Sequence, residues 1–188
     1  ARHSRGLYDL LTDLGEDPEE IIAGRPDAGE FWGLDLDNWL DIAVFNFTVD
    51  RAGSHQIMEY RESSYVPWGE SQEEVLEDEE DHYDNGVENL KQFAKDPAKL
   101  AAFQEVYDRV MPNALKRAFG RLEGADNDFC LEHGLKRNTT EVIVNRYLSE
   151  MRSHMDGTGL MFPPISAFES INCELADSTR AILLSLQR

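Results

Sequence analysis

Glu79 and His82 stand three residues apart, so on a helix they share one face. Val75, Gly86, Leu90 and Phe93 fall on the same face, at steps of three and four residues. A stripe of that kind normally turns toward a protein core. A carboxylate and an imidazole on it lose hydration, at a cost of several kcal/mol, roughly, unless a partner charge or a metal ion compensates. Carboxylate oxygens and imidazole nitrogens together suit iron or manganese, with coordination positions left open for oxygen. Two Glu-x-x-His pairs on facing helices, with two further carboxylates, make a di-iron site in the core of a helical bundle.

The spacing from Asp50 supports this reading. Asp50 lies 79 minus 50, or 29, residues before Glu79, a separation of one long helix and a turn. The stretch from Asp37 to Glu62 predicts a helix of about 25 residues with no turn signal before Ser63. Its first part is apolar nearly all round, as in a central helix, and Asp50 ends the apolar run. Trp39, Ala43, Asn46, Asp50, Gly53 and Ile57 define one face, and the small pair Ala52-Gly53 would allow close helix approach.

The remaining elements follow from caps and punctuation. A first helix ends at Gly15, and Asp17-Pro18-Glu19-Glu20 opens a short one to about Gly24. Residues 25–36 read as loop. Ser71 with Glu74 reads as a capping box opening the Glu79/His82 helix, which runs to about Lys95. Asp96-Pro97 starts another helix with Leu100, Phe103, Tyr107 and Val110 inward; Pro112 should kink or restart it, and Gly120 ends it. Residues 121–137 read as irregular. Asn138 with Glu141 is a further capping box, for a helix to about Met155, and a last amphipathic helix is expected over 177–187.

The chain begins Ala1-Arg2-His3, and His3, Leu7, Leu10 and Leu14 already form a helical stripe. No cap residue or targeting signal precedes it, so a start inside a helix is expected, as in a fragment or a processed product. A Glu just before Ala1 would make His3 the end of a second Glu-x-x-His.

At 188 residues and 41% apolar content, the chain can bury one sizeable core. No apolar run approaches the roughly 18 residues of a membrane span. Cys130 and Cys173 form no disulfide framework, which favours a reducing, cytoplasmic location. Eighteen basic against 37 acidic residues leave a net charge of −19, a field that repels nucleic acid. It suits a basic partner, a high-salt host or simply a well-solvated surface.

Other constellations carry less chemistry. The acidic run from Glu73 to Asp84 holds eight acids, most of which must face solvent. It is not a calcium loop: with Gly86 at the sixth position, Tyr83 and Gln92 occupy ligand positions. Cys130-x-x-His133 lacks a second pair for zinc. His55 and His154 read as polar-face or capping histidines. The chain has no Gly-rich phosphate loop and no nucleophile elbow.

The stretch from Ala1 to about Pro164 resembles the catalytic subunits of ring-1,2-phenylacetyl-CoA epoxidases, a bacterial family of multicomponent di-iron oxygenases. His3 with Gly6-Leu7-Tyr8 and Leu14-Gly15 resembles the family's second metal helix. Trp39, Asp41-Ile42 and Val49-Asp50 resemble the third, Ser64-Tyr65 and Pro67 the turn after it, and Glu79, His82 and Gly86 the fourth. Pro112, Ala114-Leu115, Phe119-Gly120, Leu135-Lys136-Arg137 and Arg146-Tyr147 resemble the region behind the bundle. Arg51, where the family has a small residue, and the tail after residue 165 depart from it.

The resemblance implies an all-α, ferritin-like bundle, represented by its second half with accessory C-terminal helices. Its oxygenase domain would span 1–165, with 166–188 a tail or helix. It implies metal ligands at His3, Asp50, Glu79 and His82, with Asp50, Glu79 and His82 also catalytic. It further implies two iron ions, electrons from NADPH through a separate reductase, a related structural subunit, and epoxidation of the ring of an aryl-CoA thioester. A non-catalytic bundle subunit of such a complex is the alternative, and an acidic interaction domain without metal a third; burial of Asp50 and Glu79 separates the last from the others.

Overall fold

The computed structural model describes residues 2–23 and 36–185, excluding the side chains of residues 2–4, 74, 78 and 80. The expected loop at 25–36 therefore lies, but for its last residue, outside the described residues. The architecture is all-α, with no strand among the described residues. The helices are α1 (Arg2–Asp13), α2 (Pro18–Ala23), α3 (Trp39–Phe45), a π-helical turn (Asn46–Asp50), α4 (Arg51–Tyr60), α5 (Val66–Phe93), α6 (Pro97–Ala118), α7 (Ala125–Glu132), α8 (Thr140–Met155), α9 (Ile165–Ser170) and α10 (Asp177–Ser185).

Capping chemistry sets several starts. Asp17 Oδ1 accepts from the Glu19 N–H and opens α2, and Asp96 does the same for α6 through Ala98. Asn38 caps α3 by accepting from Leu40 and Asp41. Two caps expected from sequence fall elsewhere. The helix α5 begins at Val66, with Pro67 in its first turn, where a missing N–H costs nothing. Ser71 thus lies inside the helix and donates back to the Trp68 carbonyl. Thr139, not Asn138, caps α8, through a bond from the Val142 N–H. Asn138 is taken by buried Glu59, which accepts from its backbone N–H at 2.9 Å and its amide at 3.0 Å, and from Arg146 at 3.3 Å. A buried carboxylate needs those donors more than the helix needs a second cap.

Two further expectations need correction. The helix α6 does not restart at buried Pro112 but continues through it; Asn113 donates its amide to the Arg109 carbonyl at 2.9 Å, beside the turn the proline weakens. Residues 125–132 form α7 rather than irregular chain. That helix has no buried residue, so no apolar stripe betrayed it.

One apolar core joins α3, the π turn, α5, α6 and α8. Phe47, Leu90, Phe103, Tyr107, Met111, Tyr147, Leu148 and Met151 are fully buried in it. The core does not stop at residue 165: Phe168 of α9 and Leu183 of α10 are fully buried in the same cluster. Among the described residues, no helix is long and apolar enough to cross a membrane.

Candidate metal centre

Residues 39–60 form one helical rod with a π turn in its middle. A π turn holds one residue more than the α-helix it interrupts. It therefore breaks the hydrogen-bond register and shifts the phase of every residue after it; such turns recur at functional sites. Uninterrupted α-helix was expected here from sequence. The turn is held by buried side chains: Thr48 Oγ1 donates to the Val44 carbonyl at 2.6 Å, and the buried Tyr147 hydroxyl donates to the Thr48 carbonyl at 3.1 Å.

The π turn also presses against α5. A Cβ placed on Gly86 would lie 2.5 Å from Phe47 N and 2.9 Å from the Asn46 carbonyl carbon, closer than any real contact. Only glycine lets the two backbones meet. Of the small pair Ala52-Gly53, expected to allow close approach, Ala52 is fully buried in the core while Gly53 has nothing within 4 Å of such a Cβ.

That contact sets the site. Gly86, His82 and Glu79 follow one another along one stripe of α5, and Asp50 closes the π turn beside it. His82 Nδ1 lies 3.7 Å from Asp50 Oδ2 and 3.7 Å from Glu79 Oε2. The candidate ligand atoms of Asp50, Glu79 and His82 all lie within 4.8 Å of one another. Two donors about 2.1 Å from one ion, at angles of 90–120°, stand roughly 3–3.6 Å apart, so the spacing fits a shared cation after slight closure. Asp50 and Glu79 are largely buried, at 15% and 22% side-chain exposure, whereas His82 is 57% exposed. Burial of the two acids disfavours the plain acidic interaction domain. His82 departs from the expected inward stripe and stands at the rim.

Burial pushes the Asp50 carboxyl up to about 7, the neighbouring Glu79 carboxylate adds to the rise, and His82 opposes it. Two acids crowded into a half-dry site raise each other's cost of ionisation, a cost that a bound cation would relieve. The side chain of His3, the fourth expected ligand, lies outside the described residues; its helix α1 packs against α5, the helix that carries Glu79 and His82.

Sequence reasoning missed what lies behind Asp50. Arg51 reaches Glu150 of α8 at 2.5 Å, and buried His55 shares that carboxylate at 2.9 Å. His55 is therefore a core partner, not a polar-face histidine. The Arg51 guanidinium also sits 4.5 Å over the Tyr83 ring, a cation–π contact. Burial alone would raise the Glu150 carboxyl, but hydrogen bonds and charge from His55 and Arg51 outweigh it and bring it down to about 2. The cation beside Asp50 is thus spent on Glu150. Partners 95 residues apart leave no local pattern to read.

No family model matches the chain, and no curated protein matches it.

Proposed function

We propose that this chain is the iron-bearing, ferritin-like subunit of a cytoplasmic di-iron monooxygenase that epoxidises the aromatic ring of an aryl-CoA thioester. The observation that carries the reading is the convergence of Asp50, Glu79 and His82 from two helices onto one point, with both acids largely buried. In this reading Asp50 and Glu79 supply hard oxygen ligands, and His82 and His3 supply nitrogen. Bound iron supplies the redox chemistry with oxygen that ring epoxidation requires. The chain's own part is to hold the ligands and limit water: buried Phe47 of the π turn and Tyr83 and Leu90 of α5 belong to the apolar core built by the same two segments that carry the cluster. A separate NADPH-dependent reductase delivers the electrons, and a related structural subunit completes the complex.

One observation favours a second reading. His82 is more than half exposed, which is unusual for a ligand of a centre that must stay dry. A non-catalytic bundle subunit that kept part of the ligand set has no need of a closed site.

The deciding experiment is iron content per chain, with Asp50→Ala and Glu79→Ala as controls, followed by oxygen-dependent turnover of phenylacetyl-CoA with reductase and NADPH. The oxygenase reading expects iron that both variants lose, and an epoxide product. Iron no higher than in the controls rules it out, and iron without turnover leaves the structural subunit.

A further inference from the structure

Asn46 opens the π turn and Asp50 closes it. One end of the Asn46 amide lies 3.1 Å from two acceptors, the Ile42 carbonyl oxygen and Asp50 Oδ2. Hydrogen bonding assigns this end as the nitrogen, because the opposite orientation sets the side-chain oxygen against acceptors alone and the nitrogen against donors alone. Asp50 Oδ2 is also the oxygen nearest His82. One amide therefore ties the α3 backbone, through Ile42, to the carboxylate oxygen that closes the three-residue cluster.

The backbone around Asn46 is fixed as well. Its carbonyl carbon and the Phe47 N both sit against Gly86, in the turn of α5 that comes after His82. Asn46 is thus anchored to the helix that carries the other two members of the cluster. Its exposure is intermediate, so water competes with this bond only in part.

We propose that Asn46 is a positioning residue for the metal centre, its amide holding the Asp50 carboxylate in the orientation that faces Glu79 and His82. The inference rests on the metal reading for its purpose, but not for the hydrogen bond. Groups that orient ligating carboxylates from behind change metal affinity by about 10- to 100-fold when removed. Asn46→Leu keeps the side chain's size and removes the donor. Asn46→Asp keeps its shape and replaces the donor with a third carboxylate.

Two measurements test this separately. The first uses metal-free protein and NMR of the Asn46 side-chain amide. Its protons should exchange slowly, and their shift should move in Asp50→Ala but not in Glu79→Ala. An Asn46 amide that exchanges freely, or ignores Asp50→Ala, overturns the proposal whether or not the protein binds metal. The second titrates wild type, Asn46→Leu and Asn46→Asp with Co2+, whose visible spectrum reports ligand geometry. Asn46→Leu should bind about 10- to 100-fold more weakly and with altered bands, at an unchanged melting temperature. An unchanged affinity and spectrum overturns the positioning role and leaves the metal centre standing. Failure of wild type to bind Co2+ or Fe2+ overturns the metal reading, and the NMR measurement then decides the Asn46–Asp50 bond alone.

Discussion

Gly86 and Phe47 meet backbone to backbone. A Cβ at Gly86 would stand 2.5 Å from Phe47 N and 2.7 Å from its Cα, and neither atom can move without moving the π turn. The contact places the stripe of α5 against the segment that ends in Asp50. Gly86→Ala is therefore expected to destabilise the protein by about 3 kcal/mol, the upper part of the range for overpacked cores. It should also weaken metal binding, because the gap between Asp50 and His82 opens. Urea unfolding and Co2+ titration check both; a variant as stable as wild type would mean that the helices are free to part.

Asp50 sets the alkaline side of stability in the metal-free protein. Its carboxyl is raised in the folded state from 3.8 to about 7, so the folded chain binds the proton more tightly than the unfolded one. Stability from this group is full below about pH 4 and is lost as pH rises through about 7, to a limit of about 4 kcal/mol. Asp50→Asn should remove that slope and raise the stability of the metal-free form at pH 8. Unfolding curves from pH 4 to 8 that run parallel in the two proteins would show that Asp50 is ordinary.

Glu150 acts in the opposite sense. Its carboxyl is lowered from 4.5 to about 2, burial opposing and His55 and Arg51 prevailing. Its contribution is present above about pH 4.5 and is lost as pH falls toward 2. The carboxylate is 26% exposed, so solvent screening reduces the effect to about 1–2 kcal/mol. Glu150→Gln should flatten the acid limb between pH 5 and 2 while leaving the alkaline limb intact. An unaltered acid limb would place the loss on other carboxylates.

Glu59 joins α4 to the start of α8 through Asn138 and Arg146. Its removal strands the half-buried backbone and amide donors of Asn138. Glu59→Ala is expected to cost about 2–3 kcal/mol, and Arg146→Ala much less, since the Arg146 side chain is 56% exposed. Thermal denaturation of the two variants ranks them; equal losses would contradict this assignment of the work to Asn138.

Much of this arrangement was legible in the residues, and the exceptions share a cause. The long helices, the caps at Asp17 and Asp96, and the pairing of Glu79 with His82 follow from local spacing, whereas Asp50 joined them through its distance of one helix and a turn and through the resemblance. The caps expected at Ser71 and Asn138 failed because Pro67 and buried Glu59 acted from outside the window that defines a capping box. The face assigned to residues 39–60 failed in an orderly way. An unbroken α-helix carries Asp50 on to Gly53 and Ile57. The residues actually buried are Ala52, Ser54, His55 and Glu59. The stripe Ala52, His55 and Glu59 stands two residues on from Asp50, Gly53 and Ile57; the π turn, which nothing in composition announces, accounts for one of them, and Trp39 is already exposed before it. The Arg51–Glu150–His55 cluster was invisible for a different reason, since its members meet only across the fold.

The π turn makes the helix from Trp39 to Tyr60 behave like a screw with a slipped thread. Because the turn holds one residue more than plain α-helix, loss of one residue between Asn46 and Asp50 would let the rod heal with its lower half still in its present orientation, His55 toward Glu150 and Glu59 toward Asn138. One residue added or lost between Arg51 and Ser54, where no such turn absorbs it, would instead rotate everything after it by about 100° and take both side chains from their partners.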